Sequence, residues 1–100
     1  MRSSEPETLV LISLLDGPKH GYAIGNDLKQ MTGRRPGPGT LYGAIARLED
    51  SGLIVQRASR DRRKPYGLTR LGLERATGEV EKLEGIAKVG RKRLSVREAT

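Results

Sequence analysis

Two groups of side chains in this sequence have the chemistry to bind a polyanion. The first lies in PGTLYGAIARLEDSGL, residues 38–53, where one side of a predicted helix carries Thr40, Tyr42 and Arg47 among small residues. The second is a basic cluster formed by Arg60, Arg62, Arg63 and Lys64. Hydroxyl and guanidinium groups donate hydrogen bonds to phosphate oxygens and to base edges, so both groups favour double-stranded DNA as the partner.

The charge of the chain favours the same kind of partner. Nineteen Lys and Arg residues exceed twelve Asp and Glu residues, so the formal net charge is +7. Between positions 53 and 72, six basic residues stand against one acid, Asp61, which places a net +5 of that excess in one short segment. A loop that served only solubility would not need this concentration, whereas guanidinium groups at a loop tip neutralise phosphates or enter a narrow minor groove. We therefore expect this segment to contact DNA.

Three predicted helices and a hairpin must position these groups. Apolar periodicity and helix-stop signals predict helices over residues 7–15, 22–31 and 38–51. Two short strands are predicted on either side of the basic cluster, at 53–58 and 65–68. Thr69 can cap a last, long helix from residue 70. This order is that of a mainly α winged helix-turn-helix, with three helices, a two-stranded β-wing and a long C-terminal dimerisation helix.

The last helix carries an apolar seam with the spacing of helices that pack along another long helix. Its members are Leu73, Ala76, Val80, Leu83, Ala87, Gly90 and Leu94. At the rise of an α-helix, residues 70–94 would extend about 37 Å, which is more than the small domain can cover. We therefore predict a DNA-binding domain over residues 1–68 and a dimerisation helix with a short tail over 69–100, with a second copy of the chain on the seam.

The composition argues against enzymatic and metal-binding functions. The chain has no cysteine and one histidine, His20, so thiolate chemistry and a zinc site are not expected. No nucleophile paired with a base and no phosphate-binding loop is evident, so we predict no catalytic residue, no metal and no cofactor. The longest apolar run, residues 9–15, is too short to span a membrane, and the start of the chain lacks signal-peptide features. A cytoplasmic protein without enzyme activity is expected.

Three segments resemble the PadR family of bacterial transcriptional regulators. They are GPKHGYAI at residues 17–24, PGTLYGAIARLEDSGLI at 38–54 and YGLTRLG at 66–72. The resemblance implies a homodimer in which the helix at 38–51 and the wing of each protomer meet one operator half-site, usually to repress transcription. It also implies that Thr40 and Tyr42 approach DNA and that Tyr22 supports that surface.

The complete predicted set of DNA contacts adds the basic loop before the third helix. It consists of Tyr22, Arg34, Arg35, Thr40, Tyr42, Arg47, Arg60, Arg62, Arg63 and Lys64. A further basic run at residues 91–93 is interpreted as a solvated helix terminus, where cations suit the helix dipole.

Three features depart from the pattern of the family. Gly37 stands where the family commonly has a serine that caps the recognition helix, and Pro65 interrupts the aromatic and basic residues usual in the returning wing strand. The last helix has no Trp, which some relatives stack against aromatic compounds at the dimer interface. The family resemblance implies that a small-molecule effector exists. Without the Trp, no residue of this chain indicates the chemistry of that effector.

Two other functions are compatible with the same residues. A winged-helix interaction module would use the long helix to bind a different protein and would show no sequence preference on DNA. A nucleic-acid-coating protein would bind DNA or RNA through charge alone. We favour the DNA-binding regulator because the small helix face, the basic wing and the family resemblance occur in one chain.

Overall fold

The first helix is packed on several sides, and the other elements are arranged around it. The computed structural model describes residues 4–60 and 62–99, so Asp61 lies outside the described residues. The elements in chain order are α1 (Glu5–Ser13), a 3₁₀ turn (Leu14–Asp16), α2 (Gly21–Thr32), α3 (Pro38–Asp50), β1 (Ile54–Gln56), β2 (Tyr66–Leu68) and α4 (Arg70–Ala99). Helix α1 contacts α2, α3 and α4. The order of helices and strands confirms the predicted winged helix-turn-helix class.

The core is aliphatic, as a chain without Phe or Trp requires. Its buried members are Val10, Leu11, Leu14, Ile24, Leu28, Leu41, Ala44, Ile45, Leu48, Leu53, Ile54 and Ala76. They come from every helix and from the first strand, with Tyr66 and Leu68 of the second strand packed against them. Burial of this cluster is what fixes α3 against α1 and α2 and so orients its outer face.

Helix α1 begins two residues before the predicted start at position 7. The reason is a reciprocal cap: the backbone N–H of Glu7 donates to Ser4 Oγ (3.4 Å), and Ser4 Oγ donates to Glu7 Oε2 (2.6 Å). Pro6 lies in the first turn, where its missing N–H is not needed. The sequence pattern placed the start at Glu7 and did not identify this cap.

Helix α3 has the predicted boundaries to within one residue. It begins at Pro38, with Gly37 at the N-cap position and no side-chain capping bond. It ends before Gly52, which adopts the left-handed conformation (φ 74°) that favours glycine. The N–H of Leu53 then donates to the carbonyl of Leu48 (2.9 Å), which closes the last turn.

The wing is a two-stranded antiparallel sheet in which Ile54, Val55 and Gln56 pair with Leu68, Gly67 and Tyr66. Both strands are shorter than predicted. The sheet also has a feature that the sequence analysis did not predict. Lys19, between the 3₁₀ turn and α2, exchanges two backbone hydrogen bonds with Tyr66 (3.0 and 2.8 Å), so the outer edge of the wing is tied to the helical body.

Helix α4 runs from Arg70 to Ala99, five residues beyond the predicted end, and its 30 residues correspond to about 45 Å. Thr69 caps it as predicted, since its Oγ1 accepts a hydrogen bond from the N–H of Gly72 (3.0 Å). The prediction that Ala76 belongs to a dimer seam is wrong. Ala76 is fully buried in the core of its own protomer, because the first two turns of α4 pack on α1 and the wing.

All described residues of α4 from position 81 onward are exposed. This projecting half accounts for the elongated shape of the chain, 58 × 26 × 21 Å. Within the described part of the chain, no helix has the length and apolar character that crossing a membrane requires.

Candidate nucleic-acid interface

Helix α3 buries one stripe and exposes a face with little bulk. Leu41, Ala44, Ile45 and Leu48 point into the core. The opposite face exposes Gly39, Thr40, Tyr42 and Ala46. As far as Ala46 this face is small apart from one aromatic ring and one hydroxyl, so this part of it can approach the floor of a DNA groove closely, whereas the last turn exposes Glu49 and Asp50.

Tyr42 is placed by a glycine on the neighbouring helix. A Cβ added at Gly21, the first residue of α2, would lie 2.6 Å from Tyr42 Cε1 and 2.8 Å from its hydroxyl oxygen. The Tyr42 ring therefore lies directly over the backbone of α2 and remains 48% exposed. Its hydroxyl lies at the junction of α2 and α3, against Gly21.

Arg35, in the loop before α3, is held by three neutral groups of α2. Its Cζ lies 4.6 Å from the centroid of the Tyr22 ring, a cation–π contact. Its Nη1 donates to Asn26 Oδ1. Its guanidinium also lies over Gly25, where an added Cβ would come within 2.7 Å of Nη2.

Arg34 is exposed in the same loop. Its backbone N–H donates to Thr32 Oγ1 (3.3 Å), and that hydroxyl donates to the carbonyl of Leu28 (2.8 Å). These bonds fix the chain as it leaves α2 through Gly33, which has a φ of 81°. The loop thus brings both arginines to the end of α3 that carries Thr40.

Arg47 is directed toward α1. Its Nε lies 3.2 Å from Glu7 Oε2, with the Arg47 side chain 57% exposed and the Glu7 side chain 18% exposed. The pKa of Glu7 is lowered from its ordinary value, first by the hydrogen bond from Ser4 and then by the hydrogen bond and charge of Arg47, against the opposing effect of burial. Part of the Arg47 charge is therefore compensated within the protein, and its assignment to DNA stays a prediction.

The wing carries its charges at the far end of the hairpin. Arg60, Arg62, Arg63 and Lys64 are all exposed. At the base of the hairpin, Arg57 lies along Gly67 and its Nη2 donates to the carbonyl of Leu68 (2.7 Å), while Gln56 Nε2 donates to the Tyr66 hydroxyl (3.3 Å). These two side-chain bonds brace the short sheet, so the basic tip extends from an ordered base.

The structure therefore brings together some predicted contacts and leaves others apart. Tyr22, Arg35 and Tyr42 gather along α2 and the start of α3, whereas the basic tip is a second, separate group. Sequence reasoning missed the residues that hold them, which are Gly21, Gly25, Asn26 and Arg57. Gly21 and Gly25 offered a signal, because two glycines four positions apart on one helix leave a smooth strip on one face.

Helix α4 presents apolar side chains to solvent. Leu73, Leu83 and Leu94 are each about half exposed, and Ala87 is exposed. Val80 is half-buried, and Ile86, outside the predicted seam, is 61% exposed. Surface of this kind on a solitary helix is typical of an interaction face.

His20 forms the N-cap of α2 without a side-chain capping bond and is half-buried. Over residues 4–60 and 62–99, no cluster of three or more His, Cys, Asp or Glu side chains could hold a metal ion.

Comparison with known proteins relates the chain to transcriptional regulators. The model of the transcriptional regulator PadR-like family matches residues 10–78. A transcriptional regulator from Clostridium thermocellum is 30% identical, with 87% of each chain covered and a TM-score of 0.72. A PadR family transcription regulator from Clostridium difficile is 25% identical, with 91% of this chain and 99% of that chain covered and a TM-score of 0.79.

A further relative is an uncharacterised 37.1 kDa protein in a Streptomyces fradiae transposon. It is 44% identical over 88 residues, which are 85% of this chain and 26% of that protein. The chain thus spans about a quarter of the length of this relative.

Proposed function

Because the chain belongs to the PadR-like family of transcriptional regulators, we propose that this DNA-binding transcription regulator is a homodimeric cytoplasmic repressor that binds a palindromic promoter operator. The observation that carries the proposal is the juxtaposition at α3. Tyr42 and Arg35 are held in place over α2 at the edge of a helix face that is otherwise small and exposed.

In the proposed complex, α3 enters the major groove and the wing follows the adjacent groove. Thr40 and Tyr42 donate to base edges or phosphates, and Arg34 and Arg35 contact the backbone beside the start of α3. Arg60, Arg62, Arg63 and Lys64 at the wing tip supply affinity through charge. Tyr22 supports Arg35, and Arg47 is retained as a contact that must give up part of its interaction with Glu7.

A second copy of the chain on α4 gives the proposal its two-fold symmetry. Residues 1–68 form the DNA-binding unit, and residues 69–100 form the dimerisation helix. The seam, corrected for the burial of Ala76, consists of Leu73, Val80, Leu83, Ala87 and Leu94. A two-fold dimer pairs two equal reading units, which is why we expect the operator to be a palindrome.

Release by a small-molecule effector is also part of the proposal. A groove of about 390 Å³ between the 3₁₀ turn, the base of the wing and α4 has a volume in the range of small-molecule sites. Its lining is apolar apart from two basic side chains, Arg57 and Arg70, and the hydroxyl-bearing side chain of Thr69; the apolar members include Leu14, Leu15, Pro18, Leu68 and Leu73. A molecule bound in this groove would contact both the base of the wing and α4 and could change the angle between them.

Selection of bound fragments from a random pool of double-stranded DNA tests the proposal. Enrichment of a palindrome supports a dimeric, sequence-specific regulator. Binding without enrichment would favour a nucleic-acid-coating protein, and no binding would favour a protein-interaction module. Light scattering of the purified protein adds the assembly state, since a monomer contradicts the homodimer. Transcription from a promoter that contains the selected site distinguishes repression from activation.

A further inference from the structure

The guanidinium of Arg35 rests on a flat patch of α2 that a glycine provides. Gly25 lies inside the helix and is buried, and a Cβ at this position would come within 2.7 Å of Arg35 Nη2, 2.8 Å of Cζ and 3.0 Å of Nη1. Glycine inside a helix is unfavourable relative to alanine. The position therefore gives up helix stability and gains the space in which Arg35 lies.

Two further contacts fix the same guanidinium. The Tyr22 ring lies under Cζ at 4.6 Å, and Asn26 Oδ1 accepts a hydrogen bond from Nη1. Arginine has a long side chain with many rotamers, and ordering it during DNA binding would reduce affinity. Here that ordering occurs during folding, so the free protein already holds the side chain in one arrangement.

All three contacts are with uncharged groups. Among the described residues no acidic side chain pairs with Arg35, in contrast to Arg47 with Glu7 and Lys19 with Asp16. Asn26 occupies one of the five N–H donors of the guanidinium. Arg35 is exposed, and no acidic side chain among the described residues compensates its positive charge. Its other N–H donors can reach phosphate oxygens.

We infer that Gly25, Tyr22 and Asn26 are positioning residues that preorganise Arg35 for a phosphate of the DNA backbone beside the start of α3. The inference rests on the proposed DNA-binding function and adds to it how one contact is prepared. A phosphate is the expected partner because the guanidinium lies beside the helix start and not on the outer face of α3, where bases are read.

The test combines Gly25→Ala, Arg35→Ala and the double variant in titrations of the selected DNA at several salt concentrations. Alanine at position 25 would displace the guanidinium, because the far end of a flexible side chain moves more easily than a helix backbone. We expect each single variant to bind about a hundredfold more weakly, as for the loss of one charge-assisted contact, worth about tenfold, in each protomer of the proposed homodimer. The double variant should bind no more weakly than Arg35→Ala alone, since Gly25 acts through Arg35.

Two measurements separate this arrangement from a general structural defect. The slope of log affinity against log salt concentration should become shallower by about two units in Gly25→Ala and in Arg35→Ala, because the proposed homodimer loses one phosphate contact in each protomer. The midpoint of thermal unfolding of Gly25→Ala should equal or exceed that of the wild type, because alanine favours a helix. Gly78→Ala is the matched control: it lies in α4 with open space around it, and it should leave both affinity and salt dependence unchanged.

A third measurement requires no DNA. The side-chain protons of Arg35 should show a ring-current shift from Tyr22 in the NMR spectrum of the free protein. Gly25→Ala and Tyr22→Leu should both abolish this shift. If Gly25→Ala fails to fold, Asn26→Ala removes one of the three restraints on Arg35 without adding volume. Asn26→Ala should weaken DNA binding and reduce the salt dependence in the same way. It should have no further effect on either quantity when it is combined with Arg35→Ala.

Several results would overturn the inference. If Gly25→Ala bound DNA as tightly as the wild type while Arg35→Ala bound more weakly, Gly25 would not be a positioning residue for Arg35. The proposed regulator function would be unaffected by that result. Full affinity of Arg35→Ala would remove the phosphate contact. Additive losses in the double variant would mean that Gly25 acts by another route. If the wild type bound no DNA, the proposed function would fail, and the ring-current shift would still report whether Arg35 is seated on α2.

Discussion

Gly72, in the first turn of α4, lies against the backbone of Leu53 at the start of the wing. A Cβ at position 72 would overlap the carbonyl oxygen of Leu53 and lie 2.9 Å from its carbonyl carbon. The same junction is closed by Thr69, whose N–H donates to the Leu53 carbonyl (3.1 Å) and whose Oγ1 donates to the Gly52 carbonyl (2.7 Å). The wing and α4 are therefore joined by direct backbone contact.

Substitution of this glycine should be costly. Gly72→Ala forces apart two backbone segments, and we expect the free energy of unfolding to fall by about 3 kcal/mol. Gly78→Ala, six residues later in the same helix and surrounded by open space, should raise the free energy of unfolding by about 0.5–1 kcal/mol through helix propensity. Urea denaturation of both variants checks the prediction. Equal stability of the two variants would contradict the tight junction.

Gly21→Ala should act mainly on DNA binding. The new methyl group would displace the Tyr42 ring, which is half exposed and can turn into solvent, so the free energy of unfolding should change by less than about 1 kcal/mol. The affinity for the selected DNA should fall to that of Tyr42→Ala. A titration of both variants and of their combination provides the measurement. Wild-type affinity in Gly21→Ala would show that the seat of Tyr42 does not matter for binding.

Glu7 should make stability depend on acid pH. Its pKa is lowered in the folded protein by the Ser4 hydroxyl and by Arg47, so its carboxylate stabilises the fold above the unfolded-state pKa. That contribution is lost as the pH falls below about 4.3 and through the lower folded-state value. The Arg47 side chain is more than half exposed, and the ion pair should therefore contribute less than about 1 kcal/mol.

Urea denaturation between pH 2.5 and 6 checks this prediction. Glu7→Gln should be less stable than the wild type at pH 6, and the difference should shrink at low pH. Arg47→Ala should remove part of the same pH dependence. A constant difference across the whole range would mean that Glu7 does not keep a lowered pKa in the folded state.

The wing should contribute affinity through charge. Arg62→Ala together with Arg63→Ala should weaken DNA binding, and the slope of log affinity against log salt concentration should become shallower by about four, because each protomer of the proposed homodimer loses two phosphate contacts. The effect should be similar on selected and unrelated DNA, because phosphate contacts carry no sequence information. Gel-shift titrations at several salt concentrations measure both quantities. An unchanged salt slope would assign the wing tip to solvent.

The exposed apolar side of α4 should hold the second copy of the chain. Leu83→Glu places a charge in the seam and should convert the dimer to a monomer in light scattering. Val89→Glu is the matched control, because Val89 and Leu83 are both 48% exposed and their positions differ by about 120° around the helix axis. The control variant should remain a dimer. Dissociation by Val89→Glu but not by Leu83→Glu would move the interface to the other side of the helix.

The elements of the fold were predictable because their signals are local. Pro38 and Gly52 mark the ends of α3, and Thr69 marks the start of α4. The contact of Lys19 with Tyr66 was not predictable in this way. It joins residues far apart in the chain through backbone atoms alone, and backbone hydrogen bonds leave no mark on residue type.

The sequence indicated several exposed residues of the candidate site, but it did not indicate the residues that hold them in place. The exposed positions of Thr40 and Tyr42 follow from helix periodicity. The burial of Ala76 does not, because a regular apolar spacing continues unchanged from the part of α4 that packs on the protomer to the part that projects from it. The interaction of Arg47 with Glu7 also depends on how α1 crosses α3, which neither helix specifies by itself.

Helix α4 is continuous from the Gly72 junction to Ala99, so its length sets both the distance and the rotation of its far end relative to the junction. Each inserted residue would turn everything beyond it by about 100° and advance it by about 1.5 Å, whereas seven residues would restore nearly the original direction after about 10 Å. In the proposed homodimer, the spacing of the two half-sites on DNA therefore depends on the length of α4 and on the rotation that this length produces. Changes of length in this helix would alter operator choice without altering any residue that touches DNA.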